Sequence, residues 1–456
     1  MIPALHQRVT ENPSTRFEAR RKFAVRWVFF IYVLMLIEGP LRKWFLPGLA
    51  GPLTVLRDPF VIALYGYCLA NGLMLRRGIA KIWLGFAVAA SIFGLLQYAN
   101  NGFGLTGWAL GLRSYWLYMP LAFVIARCFT YNDLIRFLRV NMWIAIPYAT
   151  LVATQYSSGA GSFINWGVGA DEGGSLGLSD GIVRPFGLFS YTAPNVQFTS
   201  AVIAMFLALY LTKRTVQPSL PIFFVMMLSV AAMGVLTGSR SIYFEVAIMI
   251  VGTIIALLMQ LHKKGSLRQI VSLIGFLVVA AVVFVQLFPD MLQAMGTRFE
   301  VAARSEGSFG NRIYYNIFSF VEAYATAPFL GHGIGAGAPG VSKVIGLPNL
   351  IYGEGDLTRN VNELGIVLGS LFLILRFMTG AWVMWLALKL AFRGYRLTLP
   401  IAAFVGLNIM TGQITNSPLN AFLPWLLFGC ILVCKTHADH ARAERLAWAH
   451  SESTLR

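Results

Sequence analysis

The residues best suited to chemistry in this sequence are arginines that stand beside long apolar runs. They are Arg184 in RPFGLFSYTAPN, Arg240 in LTGSRS, Arg304 and Arg312 in a long polar segment, and Arg359 in DLTRNVNELG. A guanidinium stays protonated and makes forked, charge-assisted hydrogen bonds to phosphate oxygens. Three of these arginines lie near predicted helix ends, where side chains from different helices converge. Together they predict a site for a pyrophosphate at a membrane surface.

These arginines are predicted to lie on the side of the membrane away from the cytoplasm. Basic residues are depleted from short loops that are translocated to that side, so the position of these arginines needs an explanation. The alternative to a binding site is contact with lipid headgroups, which requires no site at all. Arg376 lies deeper in an apolar run, and we expect it to form a buried ion pair, with Glu245 as a candidate partner. Arg42 and Lys43 follow the first apolar run and are expected to anchor it at the interface.

Carboxylates near the same segments supply candidates for a general base. Glu354 and Asp356 precede Arg359, and Glu363 follows it. A carboxylate beside the arginines is able to accept the proton of an attacking hydroxyl group. Ion pairing with those arginines is the alternative, and Glu363, at the start of an apolar run, also suits the positive end of a helix dipole.

His332, in the segment GHGIGAG, is a further candidate base, although a single histidine in a loop is more often simply solvated. The sequence contains no HExxH, CxxC or DxD pattern, so no bound metal is predicted. It also lacks a Walker A motif. GHGIGAG follows a predicted helix rather than a strand, which excludes it as a dinucleotide fingerprint, and no cofactor is predicted.

The chain that carries these residues is too apolar for a soluble protein. Hydrophobic residues occupy 57% of its 456 positions and charged residues 12%, whereas a soluble domain has about 25% charged residues. Apolar runs of about 20 residues recur, each long enough to cross the hydrocarbon core of a bilayer. The sequence therefore predicts an all-α polytopic membrane protein with about twelve transmembrane helices. The predicted spans are 25–45, 54–74, 79–98, 110–129, 134–156, 194–212, 219–237, 241–261, 270–288, 361–388, 398–414 and 418–435.

The distribution of basic residues predicts the orientation. Most of the 36 Lys and Arg residues fall into alternate short segments between the spans, which marks those segments as cytoplasmic. Both termini are therefore predicted to lie inside, and nucleic acid is a poor explanation for the net charge of +17. The basic start of the chain is predicted to belong to an uncleaved signal anchor. All four cysteines fall inside apolar runs, so no disulfide framework is expected.

The predicted organisation has five parts. They are a cytoplasmic N-terminal basic tail at 1–24, helices 1–9 at 25–288 with a periplasmic loop at 157–193, a large periplasmic loop at 289–360, helices 10–12 at 361–435, and a cytoplasmic tail at 436–456. Loops of this length are usually functional or disordered. Within the large loop, residues 308–326 predict a short helix, and the glycine-rich stretch that follows predicts a loop.

At these residues the chain resembles the superfamily of O-antigen ligases and Wzy-type polysaccharide polymerases. Four segments match in order: Arg184 in RPFGLFSYTAPN, Arg240 in TGSRS, the stretch from Arg312 to PFLGHGIGAG, and the acid–Arg–ELG segment that re-enters the membrane. The resemblance covers roughly residues 180–375. The segments EGPLRKW and LRDP near the start look like those of exopolysaccharide-cluster members of the same group.

The resemblance implies a metal-independent, C-type glycosyltransferase of the bacterial inner membrane whose active face is periplasmic. Such an enzyme takes glycan from an undecaprenyl-pyrophosphate carrier, with Arg184, Arg240 and Arg312 expected to bind the pyrophosphate and stabilise the leaving group. Ligases of the family carry a His-Asn pair where the loop re-enters the membrane, whereas this chain has Arg359-Asn360. This difference weakens the ligase interpretation in favour of a polymerase of exopolysaccharide or O-antigen repeats.

The same comparison leaves Glu354 or Asp356 as the candidate base, with Arg312 beside it and Arg359 as a further pyrophosphate ligand. Two other functions stay open. One is an O-antigen ligase that transfers the glycan to lipid A core. The other is a secondary transporter of an anionic solute, although transporters place their site near the membrane midplane in paired broken helices. The expected partners are the lipid-linked glycan, the bilayer, and a chain-length regulator or export complex.

Overall fold

The computed structural model describes residues 13–168, 183–259, 266–287, 318–348, 352–353 and 355–454, together with isolated positions between 289 and 314. These parts of the chain consist of helices and the turns that join them, and no β-strand occurs in them. The prediction of an all-helical protein is therefore confirmed over the described residues.

The described residues form helices of very different lengths. The first ten are α1 Pro13–Pro40, α2 Asp58–Ala70, α3 Ile79–Asn100, α4 Leu105–Trp116, α5 Met119–Cys128, α6 Tyr131–Ser157, α7 Thr192–Tyr210, α8 Leu220–Leu236, α9 Arg240–Leu258 and α10 Ser266–Leu287. The remaining ones are α11 Phe320–Thr326, α12 Pro339–Ile345, α13 Asp356–Phe392, α14 Thr398–Thr411 and α15 Pro418–Thr454. A π-helical turn, Leu41–Phe45, continues α1, and short helical turns at Pro47–Leu49 and Ala50–Leu53 lead into α2.

Within the described residues, eight helical stretches are long and apolar enough to cross a membrane. A ninth results if α4 and α5, which meet at an angle of 44°, form one span. Shorter apolar helices lie where the sequence predicts further spans, at Leu220–Leu236, Leu267–Val283 and Thr398–Thr411. The chain therefore has the helices of a polytopic membrane protein, whereas the count of twelve spans and their orientation stay predictions.

Helices α7 and α15 form the centre of the bundle. In α7, 89% of the most apolar window is buried inside the protein, and in α15 the share is 83%, compared with 28% in α3. Around them α15 packs on α5, and α14 packs on both α13 and α9. The peripheral helices α2 and α3 expose large apolar side chains such as Ile62 and Leu96, as expected for faces in contact with lipid.

Polar and charged side chains collect at one end of this bundle, which we call the polar end. It is formed by Leu41–Phe45, the start of α2, residues 183–191, α4, and the start of α13. Helix α4 joins its two halves, because Arg113 pairs with Asp58 at the start of α2, and Tyr115 donates to Glu363 on α13. Helix α4 therefore ties the first helices of the chain to the last ones.

Lys43 lies inside the polar end rather than at its surface. Its side chain is buried, its Nζ donates to the carbonyl of Gly187 at 2.7 Å, and it lies 4.3 Å from the ring centre of Trp44 and 4.4 Å from that of Phe186. The expectation that Lys43 anchors the first span at the interface is therefore wrong. The reason is tertiary, because residues 183–191 fold back over the end of α1 and present a carbonyl to the ammonium group.

Candidate functional site

Helix α13 is interrupted at Gly365, whose φ of 83° and ψ of 172° are not helical. The break frees carbonyl groups in the first part of the helix. The amide of His332 donates to the carbonyl of Asn362 at 2.9 Å, and the amide of Gly333 donates to that of Glu363 at 3.0 Å. Irregular backbone at membrane depth is tolerated where protein groups satisfy it in this way.

The glycines of GHGIGAG are needed because this segment packs backbone against backbone. A Cβ on Gly331, where φ is +76°, would lie 2.4 Å from the carbonyl oxygen of Glu363, and one on Gly335 would lie 2.5 Å from the Cα of Gly111. No side chain fits at such distances. The predicted loop is thus confirmed, and its glycines allow it to lie between α4 and the break in α13.

Glu363 receives the donors that this packing brings together. Its carboxylate accepts the amides of Gly335 at 3.2 Å and Gly337 at 2.8 Å, as well as the hydroxyl of Tyr115. The Nε of Arg359, one helical turn away, lies 3.3 Å from the same carboxylate. Glu363 is fully buried. Its position about two turns inside α13, with amide donors from the glycine segment, makes it the anchor of that segment.

Asp356 links the two parts of α13 through its carboxylate. It pairs with Arg359 within the first turn and with Arg376 beyond the break, where Nη1 lies 2.8 Å from Oδ2. The backbone amide of Thr415 donates to the same oxygen at 3.2 Å. The predicted buried ion pair of Arg376 is confirmed, but its partner is Asp356 and not Glu245, since the break at Gly365 brings the start of α13 within its reach.

The remaining hydrogen bonds of Arg376 are also satisfied within the protein. Its guanidinium donates to Asn360 Oδ1 at 2.6 Å and to the carbonyls of Ile409 at 2.8 Å and Gly412 at 2.6 Å. The network therefore holds two carboxylates and two guanidinium groups, which balance in charge. A balanced and hydrogen-bonded cluster of this kind stabilises a specific arrangement of helices.

A cavity of about 440 Å³ lies beside this network. Its lining combines a histidine, a phenol ring, hydroxyls, an amide and a carboxylate. The lining residues are Glu322, Ala323, Thr326, His332, Tyr352, Gly353, Thr358 and Asn362. The His332 ring stacks on that of Tyr352 with centroids 4.4 Å apart and planes 13° from parallel. Thr358 and Asn362 come from the same turns of α13 as Asp356 and Glu363, so the network positions one wall of the cavity.

The two rings in the cavity have shifted acidities. Burial lowers the pKa of His332 below its ordinary value of 6.5, so the imidazole is neutral at pH 7. Burial, followed by the nearby Glu363 carboxylate, raises the pKa of Tyr352. The cavity thus offers a neutral imidazole able to accept a proton and a phenol that keeps its proton.

The predicted pyrophosphate ligands lie in different places. Arg184 donates from Nε to the carbonyl of Thr237 at 3.4 Å, so it lies beside the turn that leads into α9, which begins at Arg240. The structure therefore brings the segments of Arg184 and Arg240 together. Arg359, in contrast, is fully buried in the ion-pair network of α13. Arg312 and Glu354 lie outside the described residues.

Several residues of this site were missed by sequence reasoning. One of them is Asn360. It lies at helical spacing from Asp356, Arg359 and Glu363 on one face of α13, and this spacing is a signal in the sequence that identifies it. No comparable signal exists for Tyr115, Tyr352 or Thr415, which join the site only through tertiary packing.

No group of three or more His, Cys, Asp or Glu side chains suited to a metal ion is present in the described part of the chain. Comparison with models of known protein families finds no match for this sequence, and comparison with curated proteins finds no significant relative.

Proposed function

We propose that this protein is a membrane glycosyltransferase that joins lipid-pyrophosphate-linked oligosaccharide repeats into a polysaccharide. The observation that supports the proposal most directly is the cavity that contains the stacked rings of His332 and Tyr352. Aromatic faces, hydroxyls, an amide and a carboxylate are the groups with which proteins bind sugar rings, and a neutral imidazole is suited to accept a hydroxyl proton.

In the proposed reaction, the hydroxyl oxygen of the acceptor sugar attacks the anomeric carbon of the donor. A new glycosidic C–O bond forms, the bond from that carbon to the pyrophosphate breaks, and the lipid pyrophosphate leaves with the electron pair. The hydroxyl proton passes to His332, while Arg184 and Arg240 bind the leaving pyrophosphate. We assign the base to His332 because the Asp356 carboxylate already accepts from Arg359 and Arg376.

The proposal is tested by substitution of His332 in a strain that lacks the chromosomal gene. His332→Gln should abolish polymer, seen as loss of the high-molecular-weight ladder, while the protein stays in the membrane at normal level. His437→Gln is the matched control, because His437 contacts Tyr395 at the opposite end of the bundle. A normal ladder from the His332 variant would rule out this residue as the base.

The same gel distinguishes a polymerase from a ligase. Loss of a polymerase leaves single repeats attached to the lipid A core, whereas loss of a ligase leaves the core without any repeat. A deletion strain with bare core would therefore favour the ligase alternative, in which the acceptor sugar belongs to lipid A core.

One observation favours transport of an anionic solute as a second candidate function. Two interrupted helical segments meet, because Tyr115 near the bend between α4 and α5 contacts Glu363 near the break in α13. Paired broken helices are typical of transporter sites. Purified protein in liposomes distinguishes the two functions, because a transporter moves solute without any lipid-linked sugar donor.

A further inference from the structure

A second cluster of charged residues lies at the polar end, on the far side of α4 from the network of α13. Its members come from the end of α1, the start of α2 and α4. They are Glu38, Arg42, Lys43, Arg57, Asp58 and Arg113. Arg57 pairs with Glu38 at 2.5 Å, Arg42 lies 3.4 Å from the same carboxylate, and Arg113 pairs with Asp58. The cluster therefore is continuous from α1 to α4.

This cluster differs from the network of α13 in its charge. Three arginines, which stay protonated, face two carboxylates, and Lys43 lies beside them. The network of α13 balances two against two. An excess positive charge inside a membrane protein is costly unless an anion compensates it. Among the residues that the structure describes, the cluster of α1 and α2 therefore lacks a compensating anion.

Two buried donors in the cluster lack an acceptor among the residues that the structure describes. They are Nη1 of Arg57 and the hydroxyl of Tyr118, whose ring centre lies 5.6 Å from the guanidinium carbon of Arg57. Both side chains are 1% exposed. Tyr118 lies between α4 and α5, where the helix bends by 44°. Buried donors without partners are rare in proteins, and they indicate a missing acceptor.

The cluster reaches the protein surface next to exposed apolar side chains. The side chains of Arg42 and Arg113 are 13% and 16% exposed. Between Arg42 and Arg57, the chain exposes apolar side chains, among them Phe45 at 71% and Leu49 at 51%. Exposed apolar residues next to cations are typical of segments that lie in the membrane interface. The missing acceptor is therefore expected to be carried by a lipid.

We propose that Arg42, Arg57, Arg113 and Tyr118 form a binding site for the phosphate or pyrophosphate group of a membrane lipid. Phosphate oxygens accept several hydrogen bonds at once and supply the negative charge that the cluster lacks. None of its residues belongs to the turn that holds Arg184 and Arg240. It does not rest on the proposed sugar transfer, because lipid binding is measurable without a sugar donor.

The test uses the full-length protein purified in detergent and measures thermal stability during titration with short-chain lipids. The probes are dioctanoyl phosphatidic acid, farnesyl pyrophosphate, inorganic pyrophosphate and, as a neutral control, dioctanoyl phosphatidylcholine. We expect at least one of the two lipid phosphates to raise the melting temperature at concentrations where phosphatidylcholine and inorganic pyrophosphate do not. Stabilisation by phosphatidic acid assigns the site to phospholipids, and stabilisation by farnesyl pyrophosphate alone assigns it to a prenyl carrier.

Variants connect this binding to the cluster. Arg42→Gln should weaken the apparent affinity about tenfold, as expected for loss of one charge-assisted contact. Tyr118→Phe should weaken it a few-fold, because it removes only a hydroxyl group. Arg57→Gln leaves Glu38 with Arg42 as its remaining partner, so the double variant Glu38→Gln with Arg57→Gln is measured as well. Arg76→Gln is the matched control, since this arginine is exposed at the opposite end of the bundle.

Three results would overturn the inference. The first is equal stabilisation by the lipid phosphates and by phosphatidylcholine. The second is unchanged lipid affinity in both Arg42→Gln and Tyr118→Phe. The third is binding of inorganic pyrophosphate as tight as that of the lipids, which shows a site for a free anion instead.

Discussion

The guanidinium of Arg376 donates to the carboxylate of Asp356 at 2.8 Å, and this contact joins the two parts of α13 across their break at Gly365. Both side chains are buried, and both sit in one apolar helix. A charge at that depth is stable only with its partner. The pair therefore fixes the angle between the two parts of α13 and, with it, the wall of the cavity that carries Thr358 and Asn362.

Loss of the Asp356 carboxylate should destabilise the protein strongly. Asp356→Asn leaves Arg376 buried without its ion-pair partner and Arg359 with Glu363 alone, which costs about 3–5 kcal/mol. Denaturant titration in mixed micelles measures the free energy of unfolding. Asp439→Asn is the control, because Asp439 pairs with Arg393 and Lys435 at an exposed site, where such pairs contribute about 0–1 kcal/mol. Equal losses from both variants would contradict the structural role of Asp356.

The close contact of Gly331 with α13 leads to a prediction with a matched glycine. Gly331→Ala places a methyl group 2.4 Å from the carbonyl of Glu363 at a φ of +76°, so the segment must move away from α13. Gly340→Ala, in α12 of the same region, meets no atom within 4 Å. We expect a lower melting temperature for Gly331→Ala only, whereas Gly340→Ala should be neutral or slightly stabilising because alanine favours helix. The prediction is wrong if both variants melt like the wild type.

The lowered pKa of His332 predicts a pH dependence of stability. The pKa in the folded protein lies below the ordinary value of 6.5, so the unfolded chain binds more protons as the pH falls through and below 6.5. Stability should therefore decrease toward acid pH over this range, and His332→Gln should remove that part of the decrease. Melting curves between pH 5 and pH 8 compare the two proteins. Identical slopes would show that the imidazole is not shielded from solvent in the folded state.

Arg184 provides a test of the proposed leaving-group contact. Arg184→Ala should abolish polymer while the protein remains in the membrane. A guanidinium that stabilises developing charge lowers the activation barrier by about 2.7–4 kcal/mol, and the variant loses this stabilisation. Arg214→Ala is the control, because Arg214 is exposed beyond the opposite end of α7 and its side chain donates a hydrogen bond to Gln217. Quantitative blotting of membranes checks expression. A full-length polymer ladder from Arg184→Ala would contradict the proposed role of Arg184 in binding the leaving pyrophosphate.

The sequence determined the membrane class and the positions of most spans, because hydrocarbon thickness fixes how long an apolar run must be. The predicted loop 289–360 included Asp356 and Arg359, but both belong to α13, where helical spacing puts them on one face with Glu363. Glycines in GHGIGAG indicated a loop, because a helix disfavours so many of them. These are local properties, and each depends on residues within a few turns of one another.

Only the tertiary structure decided which charges pair. Arg376 binds Asp356 and not Glu245, and Lys43 enters the interior because residues 183–191 fold over it. Tyr115 reaches Glu363 from α4, far away in the chain. Partners of this kind depend on which helices pack together and on where a helix breaks. Hydropathy and spacing do not specify those contacts, because packing inside a bilayer is set by side-chain shape and satisfied hydrogen bonds rather than by apolarity.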